Sequence, residues 1–285
     1  FGSGYLLLTL DAAGGVKAAG KLADGAAVSL GGTLALDEAG RVFAVLYAAP
    51  AAYKGGGLFG VAEFVRRDGT SRAYLRCTGG EPFAWENLNP QATPLYGAGF
   101  GRNLGLVGGW YDKLGNLYGY YRDRVISIGA DGSPAPTLAV GTNRIESAWW
   151  DPDGIVIAAV TNRQGVLTGL QAPGAGTPVK GPGNAYDYGS STNAVGLTLS
   201  LTRATGVFKG SFKAWFDSAT THTSKPLSYE GVLTPEREDM ADGVAGRGYI
   251  LWPATGSYTT PQNRTASYSF SWSYDFRLFL SNPIE

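Results

Sequence analysis

Few side chains in this chain are of a type that does chemistry, and their spacing suits it poorly. There is one histidine, His222, in the polar run Thr220-Thr221-His222-Thr223-Ser224-Lys225-Pro226, and one cysteine, Cys77, in Tyr74-Leu75-Arg76-Cys77-Thr78. A structural zinc site takes four nitrogen or sulfur ligands, and a Ser-His-acid triad needs an imidazole held between two partners. One His and one Cys supply neither. His222 reads as an exposed loop residue and Cys77 as a small buried hydrophobe, with no intrachain disulfide available. Glycoside cleavage uses two carboxyl groups across a cleft. Glu63, Glu81, Glu86, Glu146, Asp151, Asp153 and Glu230 qualify by type, but no spacing among them selects a pair. The Asp-x-Asp-Gly string in Trp149-Trp150-Asp151-Pro152-Asp153-Gly154 begins like a calcium loop. Ile155-Val156-Ile157 then starts a strand where further oxygen ligands belong, so a hairpin turn is the better reading. Gly97-x-Gly99-x-Gly101 lacks the strand-to-helix setting of a phosphate loop. The expectation is no metal, no cofactor and no catalytic residue. The chain reads as a non-enzyme, with a glycoside hydrolase or lyase as the less favoured alternative.

Aromatic side chains offer more, with 7 Trp, 16 Tyr and 12 Phe. Flat rings stack on sugar faces and anchor protein interfaces, because they cover much area at small entropic cost. Trp110, Tyr111, Tyr118, Tyr120, Tyr121, Trp149 and Trp150 fall in expected loops and are the candidate ligand or interface residues, although a large β core also uses such rings. The sharpest local pattern is Ser267-Tyr268-Ser269-Phe270-Ser271-Trp272-Ser273-Tyr274-Asp275-Phe276-Arg277-Leu278. Strict alternation puts Tyr268, Phe270, Trp272, Tyr274, Phe276 and Leu278 on one strand face and Ser, Asp and Arg on the other. Such a strand either closes its own sheet or adds to the edge of another subunit. No comparable long strands are evident elsewhere, which sets the pattern apart from an outer-membrane barrel.

The elements that would position these residues are short strands. Glycine accounts for 43 of 285 residues and punctuates runs of Val, Leu, Ile, Thr, Tyr and Phe. Asp24-Gly25, Asp68-Gly69, Asp131-Gly132, Asp153-Gly154 and Asp242-Gly243 are hairpin signals, since both residue types tolerate positive φ. Period-two alternation runs through Tyr5 to Leu10, Arg41 to Tyr47, Ile155 to Val160 and Leu197 to Leu201. Only Pro235 to Ala241 suits a short helical turn. The segment from Leu8 to Gly20 resembles that from Leu197 to Gly210: strand, polar turn ending in Gly, strand starting at Val. The expected fold is all-β, with antiparallel meanders forming two barrel-like or sandwich-like lobes from an internal duplication. A first lobe over 1–170 and a second over 194–285 are joined by a Gly/Pro-rich connection at 171–193.

Charged residues are 16% of the chain, and 23 Lys+Arg balance 23 Asp+Glu. A neutral chain has no electrostatic footprint for nucleic acid. No apolar run reaches the ~20 residues of a membrane helix, so the chain is not expected to span a membrane. The start at Phe1, without Met, reads as a mature or excised fragment. Several segments together resemble a known module: Gly20-Lys21-Leu22-Ala23-Asp24-Gly25, Gly206-Val207-Phe208-Lys209-Gly210-Ser211-Phe212, Glu230-Gly231-Val232-Leu233 and Gly246-Arg247-Gly248-Tyr249-Ile250. They are similar to a duplicated β module near the C-termini of very large secreted bacterial proteins with Ig-like repeats. The likeness covers about two thirds of the chain and ends after Trp252, where this chain adds its aromatic strand. The family carries no catalytic residues to transfer. The resemblance implies an extracellular or cell-surface, secreted structural protein, an interaction module of a fibre, coat or adhesin. Its partners would be protein, through self-association or a parent assembly. An extracellular glycan, held by a carbohydrate-binding module, is the alternative. Asn263-Arg264-Thr265 is a glycosylation sequon where the host modifies such sites.

Overall fold

The computed structural model describes residues 2–51, 53, 55–70, 72–78, 82–88, 100–112, 125–129, 155–161, 167–171, 173–175, 179–180, 186–187, 190–192, 198–202, 204–217, 222–235, 244–259 and 264–281. The chain is all-β and its two large sheets are antiparallel. The first is a meander of β1 (Tyr5–Leu10), β2 (Gly15–Lys21), β3 (Ala27–Leu36), β4 (Val42–Ala48) and β5 (Gly57–Arg66). Beyond it lie β6 (Ala73–Cys77), β7 (Phe83–Asn87), β8 (Phe100–Leu104) and β9 (Val107–Gly108). β7 pairs with the start of β5 and β6 with its end, so the sheet forks there and curls around one core.

The second sheet contains β10 (Val125–Gly129), β11 (Ile155–Thr161) and β12 (Leu167–Gln171). Small ladders follow from β13 (Pro173–Ala175), β14 (Val179–Lys180), β15 (Tyr186–Asp187) and β16 (Ser190–Thr192). The sheet then resumes with β17 (Thr198–Thr202), β18 (Val207–Asp217), β19 (His222–Leu233), β20 (Val244–Thr259) and β21 (Thr265–Ser281), in the order β12-β11-β10-β21-β20-β19-β18-β17.

The apolar β10 pairs along the last five residues of β21, so the described strands of 125–171 that form β10 to β12 join the second sheet. Two features differ from expectation. His222 is the first residue of β19, opposite Asp217, because the β18–β19 hairpin keeps its ladder up to that pair. The long C-terminal strand is one of a set: β18 to β21 have 11, 12, 16 and 17 residues. Gly210, Pro226 and Gly248 interrupt the apolar alternation and hide the length of its neighbours. Of the expected helical turn, Pro235 stands in a turn and 236–241 lie outside the described residues.

Local chemistry explains the hairpins. At the β1–β2 turn Asp11 Oδ1 accepts the N–H groups of Ala13 at 2.9 Å and Gly15 at 2.7 Å. Asp37 repeats this between β3 and β4, taking the N–H groups of Ala39 at 3.0 Å and Arg41 at 2.8 Å. A short polar side chain thus satisfies the turn donors that the ladder leaves over. The two hairpins that resemble one another in sequence, β1–β2 and β17–β18, each form an edge of their sheet.

Each sheet buries one face. In the first, Val16, Ala18, Val28, Leu30, Ala44, Leu46, Leu58, Ala62 and Phe83 surround Trp85, which is fully buried and meets Phe100 edge-on at 4.7 Å between ring centroids. In the second, β18 to β21 align Phe208, Gly231, Gly248 and Phe276 in one lateral row. The Phe276 ring stacks on Tyr229 at 4.2 Å, and Phe208 lies 5.9 Å from Phe276. Gly231 makes room for this cluster: a Cβ there would stand 2.5 Å from Phe208 Cζ.

Candidate functional site

The next row along β18 to β21 is Lys209, Glu230, Tyr249 and Asp275, and alternation places it on the opposite face. That face receives the first sheet. Tyr5 Oη donates to Glu230 Oε1 at 2.5 Å, and Lys21 Nζ lies 2.5 Å from Glu230 Oε2. Tyr5 and Lys21 are themselves cross-strand partners in β1 and β2, so two neighbouring strands present a phenol and an ammonium to one carboxylate. Around this contact, Ser3 N–H donates to Gly248 O at 3.1 Å and Ser3 Oγ to Asp275 Oδ1 at 2.6 Å. Gly2 N–H donates to Ser273 Oγ at 3.1 Å, and Ser273 Oγ donates to Ala23 O. Asp275 is further held by Arg277 at 2.8 Å. On the first-sheet side the network continues inward: Tyr53 Oη donates to Asp24 Oδ2 at 2.5 Å, and Trp85 Nε1 donates to Tyr53 Oη at 3.1 Å.

The electrostatics follow from this geometry. Burial pushes the Glu230 carboxyl up, but the bonds from Lys21 and Tyr5, with the charges of Lys21 and Lys209, outweigh it and leave it below the usual carboxylate range. Burial raises the Tyr5 phenol, and its bond to Glu230 adds to the rise. Tyr249, buried beside Glu230 and Asp24, is raised first by burial and then by those two charges. Tyr53 is raised by burial and by Asp24. Tyr5, Lys21 and Glu230 thus form a part-buried clasp between the two sheets.

A second feature lies at the far end of the same sheet. The β19–β20 ladder ends at Ser228–Leu251, while β18–β19 continues to Asp217–His222 and β20–β21 to Thr259–Thr265. Continuing the register would set Pro226 against Pro253 two rows further on. Proline has no N–H to give a ladder, so two facing prolines stop the sheet at this row. Two ribbons result. In the longer one the pairs Trp252–Trp272, Ala254–Phe270, Gly256–Tyr268 and Tyr258–Ala266 share one face. The pairs Pro253–Ser271, Thr255–Ser269, Ser257–Ser267 and Thr259–Thr265 share the other. Among the described strands, β10 flanks β21 only from Arg277 onward.

The expected site residues are thus distributed unevenly. Phe276 is buried in the second core, and Leu278 sits between β10 and β20 in the ladder, whereas Tyr268, Phe270 and Trp272 belong to the ribbon and Tyr274 pairs with Ile250 two rows after it. Trp110 is 47% exposed, while Tyr111 is half-buried with its ring under the β17–β18 turn: a Cβ at Gly206 would approach Tyr111 Cε2 to 2.8 Å. Tyr118, Tyr120, Tyr121, Trp149 and Trp150 lie outside the described residues. Of the carboxylates, Glu63 is buried against Arg76 at 3.0 Å and Glu230 belongs to the clasp. Glu86 is exposed, and Glu81, Glu146, Asp151 and Asp153 lie outside the described residues. Cys77 is half-buried and its Sγ accepts the Leu106 N–H at 3.1 Å. Sequence reasoning missed Tyr47 and Phe59, which are 59% and 51% exposed and face each other across β4 and β5. Their alternation was visible, but not which face the core takes.

Among the described residues no group of three or more His, Cys, Asp or Glu is placed to hold a metal. No described helix is long and apolar enough to cross a membrane. The chain matches no protein-family model, no curated protein and no solved structure.

Proposed function

We propose that this chain is a non-enzymatic, extracellular interaction module of a bacterial surface protein, acting as a structural subunit or domain of a fibre, coat or adhesin. It joins its protein partner by β-strand addition at the β20–β21 ribbon. The observation that carries the reading is the ribbon itself: eight residue pairs run beyond the shared sheet, through a sequence that alternates rings with hydroxyls in β21. Isolated two-stranded ribbons are marginal in water, and apolar ones are normally suppressed unless used. The secreted, cell-surface location rests on the resemblance of the Gly-Lys-Leu-Ala-Asp-Gly and Glu-Gly-Val-Leu segments to modules of secreted proteins.

The test removes the ribbon and keeps the core. Leu251 and Ser273 are paired, so residues 252–272 can be replaced by Asn-Gly, a two-residue hairpin turn. Mass photometry is expected to show oligomers for the full chain and a monomer, with unchanged far-UV circular dichroism, for the shortened one. Equal masses for the two would overturn the reading. Cutting away 266–285 instead would remove Phe276 from the core and unfold the sheet.

A second reading, a carbohydrate-binding module, is favoured by the exposed pair Tyr47 and Phe59 with Trp110. Retention on a polysaccharide column that is lost in Tyr47→Ala, Phe59→Ala and Trp110→Ala would support it. Retention unchanged by all three substitutions, or none in the parent chain, would remove it.

A further inference from the structure

The two large sheets repeat one arrangement of strands, and their registers show it. Gly14 and Gly206 both hold positive φ, at 83° and 73°. Each accepts a bond from a leucine two strands on: Leu34 N–H to Gly14 O at 2.8 Å, and Leu233 N–H to Gly206 O at 2.9 Å. Counted from these anchors, the row Lys17, Gly31, Tyr47 and Phe59 across β2 to β5 corresponds to Lys209, Glu230, Tyr249 and Asp275 across β18 to β21. Lysine and tyrosine recur, but their surroundings are opposite. Tyr249 is 4% exposed where the first sheet covers it, whereas Tyr47 is 59% exposed. The covered face carries Glu230, Asp275, Arg247 and Arg277; at the same positions the open face has Gly31, Phe59, Val45 and Val61. Charge is covered and apolar surface is open, with Val45 at 49% and Phe59 at 51% exposure. A contiguous apolar patch of this kind marks an interaction surface.

We propose that the face formed by Val45, Tyr47, Phe59 and Val61 docks on the same face of a second copy, about a two-fold axis running along β4. A hairpin equivalent to β1–β2 does not fit there, because Gly31 stands where Glu230 receives Lys21. The face matches itself instead. Its central row runs Lys17, Gly31, Tyr47, Phe59 and Ala84 over β2, β3, β4, β5 and β7, with β4 in the middle. Rotation about β4 exchanges β3 with β5 and β2 with β7. Phe59 of each copy then lies over Gly31 of the other, a ring against a position without a side chain, while Tyr47 and Val45 meet their own images. The flanks carry opposite charges, exposed Lys17 on β2 and exposed Glu86 on β7, and the same rotation brings them together between copies. Half-exposed rings offer about 100 Å² apiece. The face therefore falls short of the roughly 800 Å² per partner of a standard interface, and the pair is weak. It uses the other sheet from the ribbon and forms at micromolar concentration or above, beyond the range of mass photometry.

The test is sedimentation velocity on the full chain from about 1 μM to several hundred μM, where the mass should rise above that seen at nanomolar concentration. Tyr47→Glu and Phe59→Glu, both at solvent-facing positions, should each abolish the rise and leave far-UV circular dichroism unchanged. Lys17→Glu and Glu86→Lys should each weaken the pair about tenfold, since a symmetric dimer holds that contact twice. The double charge swap should restore it. Restoration cannot arise within one chain, because three strands separate β2 from β7 in this row. A mass that stays constant over the whole range overturns the proposal. So does a rise that survives Tyr47→Glu, which places the contact elsewhere. A rise lost in Tyr47→Glu but not restored by the double swap removes the two-fold arrangement. Polysaccharide retention that Tyr47→Glu abolishes, in a chain whose mass never rises, makes the face a glycan site and ends the proposal. None of these results decides the ribbon test, which is read at nanomolar concentration.

Discussion

The second sheet contains its own comparison. From Val207 to Ser211 its four long strands run side by side; beyond Ser228–Leu251 the same strands separate into ribbons. Both regions alternate aromatic with small or polar residues. In the shared region the alternation produces a core, with Tyr229 and Phe276 stacked and Phe208 beside them over Gly231. In the ribbon each of the two strands has, among the described residues, only the other as a partner. What an alternating strand becomes is decided by how many neighbours it has.

The largest expected effect tests that statement directly. Phe276→Ala removes a side chain that is 1% exposed and should cost about 3–5 kcal/mol, read as a lower urea midpoint. Phe270→Ala, six residues earlier on the same face, should cost less than about 1 kcal/mol in the monomer. Equal losses would mean that the ribbon is packed as tightly as the core, and the comparison would fail.

A smaller loss is expected at the glycines. Gly231→Ala places a methyl 2.5 Å from Phe208 Cζ and should cost about 1–3 kcal/mol, with the near-ultraviolet dichroism of the aromatic cluster altered. Gly256→Ala, in the ribbon, should be neutral or stabilising by about 0.5 kcal/mol, since alanine restricts the unfolded chain more than glycine does.

The clasp sharpens the comparison from the other face. Glu230 has a folded-state pKa below its unfolded one, so its contribution is complete above the unfolded value and is lost as pH falls through the folded value. Stability should decline on acidification below the ordinary Glu range, and Glu230→Gln should flatten that part of the profile at a cost on the order of 1 kcal/mol at neutral pH. An unchanged acid profile would show that the sheets are held by apolar contact alone.

Much of this architecture was legible in the sequence, and the failures have physical causes. Asp11 and Asp37 announce their turns because the donors they bind are two and four residues away. The all-β class follows from alternation, which is local. Neither Glu230 nor Tyr53 was singled out for the clasp, because their partners lie 225 and 29 residues away in sequence, and only the fold brings them together. The pairing of β10 with β21 was hidden for the same reason. Within β21, Phe270 and Phe276 are indistinguishable by pattern; the difference between them comes from β19, which pairs with the neighbouring β20 only as far as Leu251, and from β10, which pairs with β21 only from Arg277 onward.

The smallest expected effect acts on the split itself. If facing prolines end the β19–β20 ladder, restoring two N–H donors should extend it. The double variant Pro226→Thr with Pro253→Thr adds β-favouring residues at the two positions where register 228–251 would continue. The stability gain should be only a few tenths of a kcal/mol, the net of one or two added ladder bonds against newly ordered residues. Amide exchange gives the clearer readout. Protection should rise over residues 222–227 and 252–257 while that of 246–251 stays constant, and each single substitution should do less than the pair, because either remaining proline still withholds a donor. Protection that does not rise would place the cause of the split in the twist of the two hairpins and not in the missing donors.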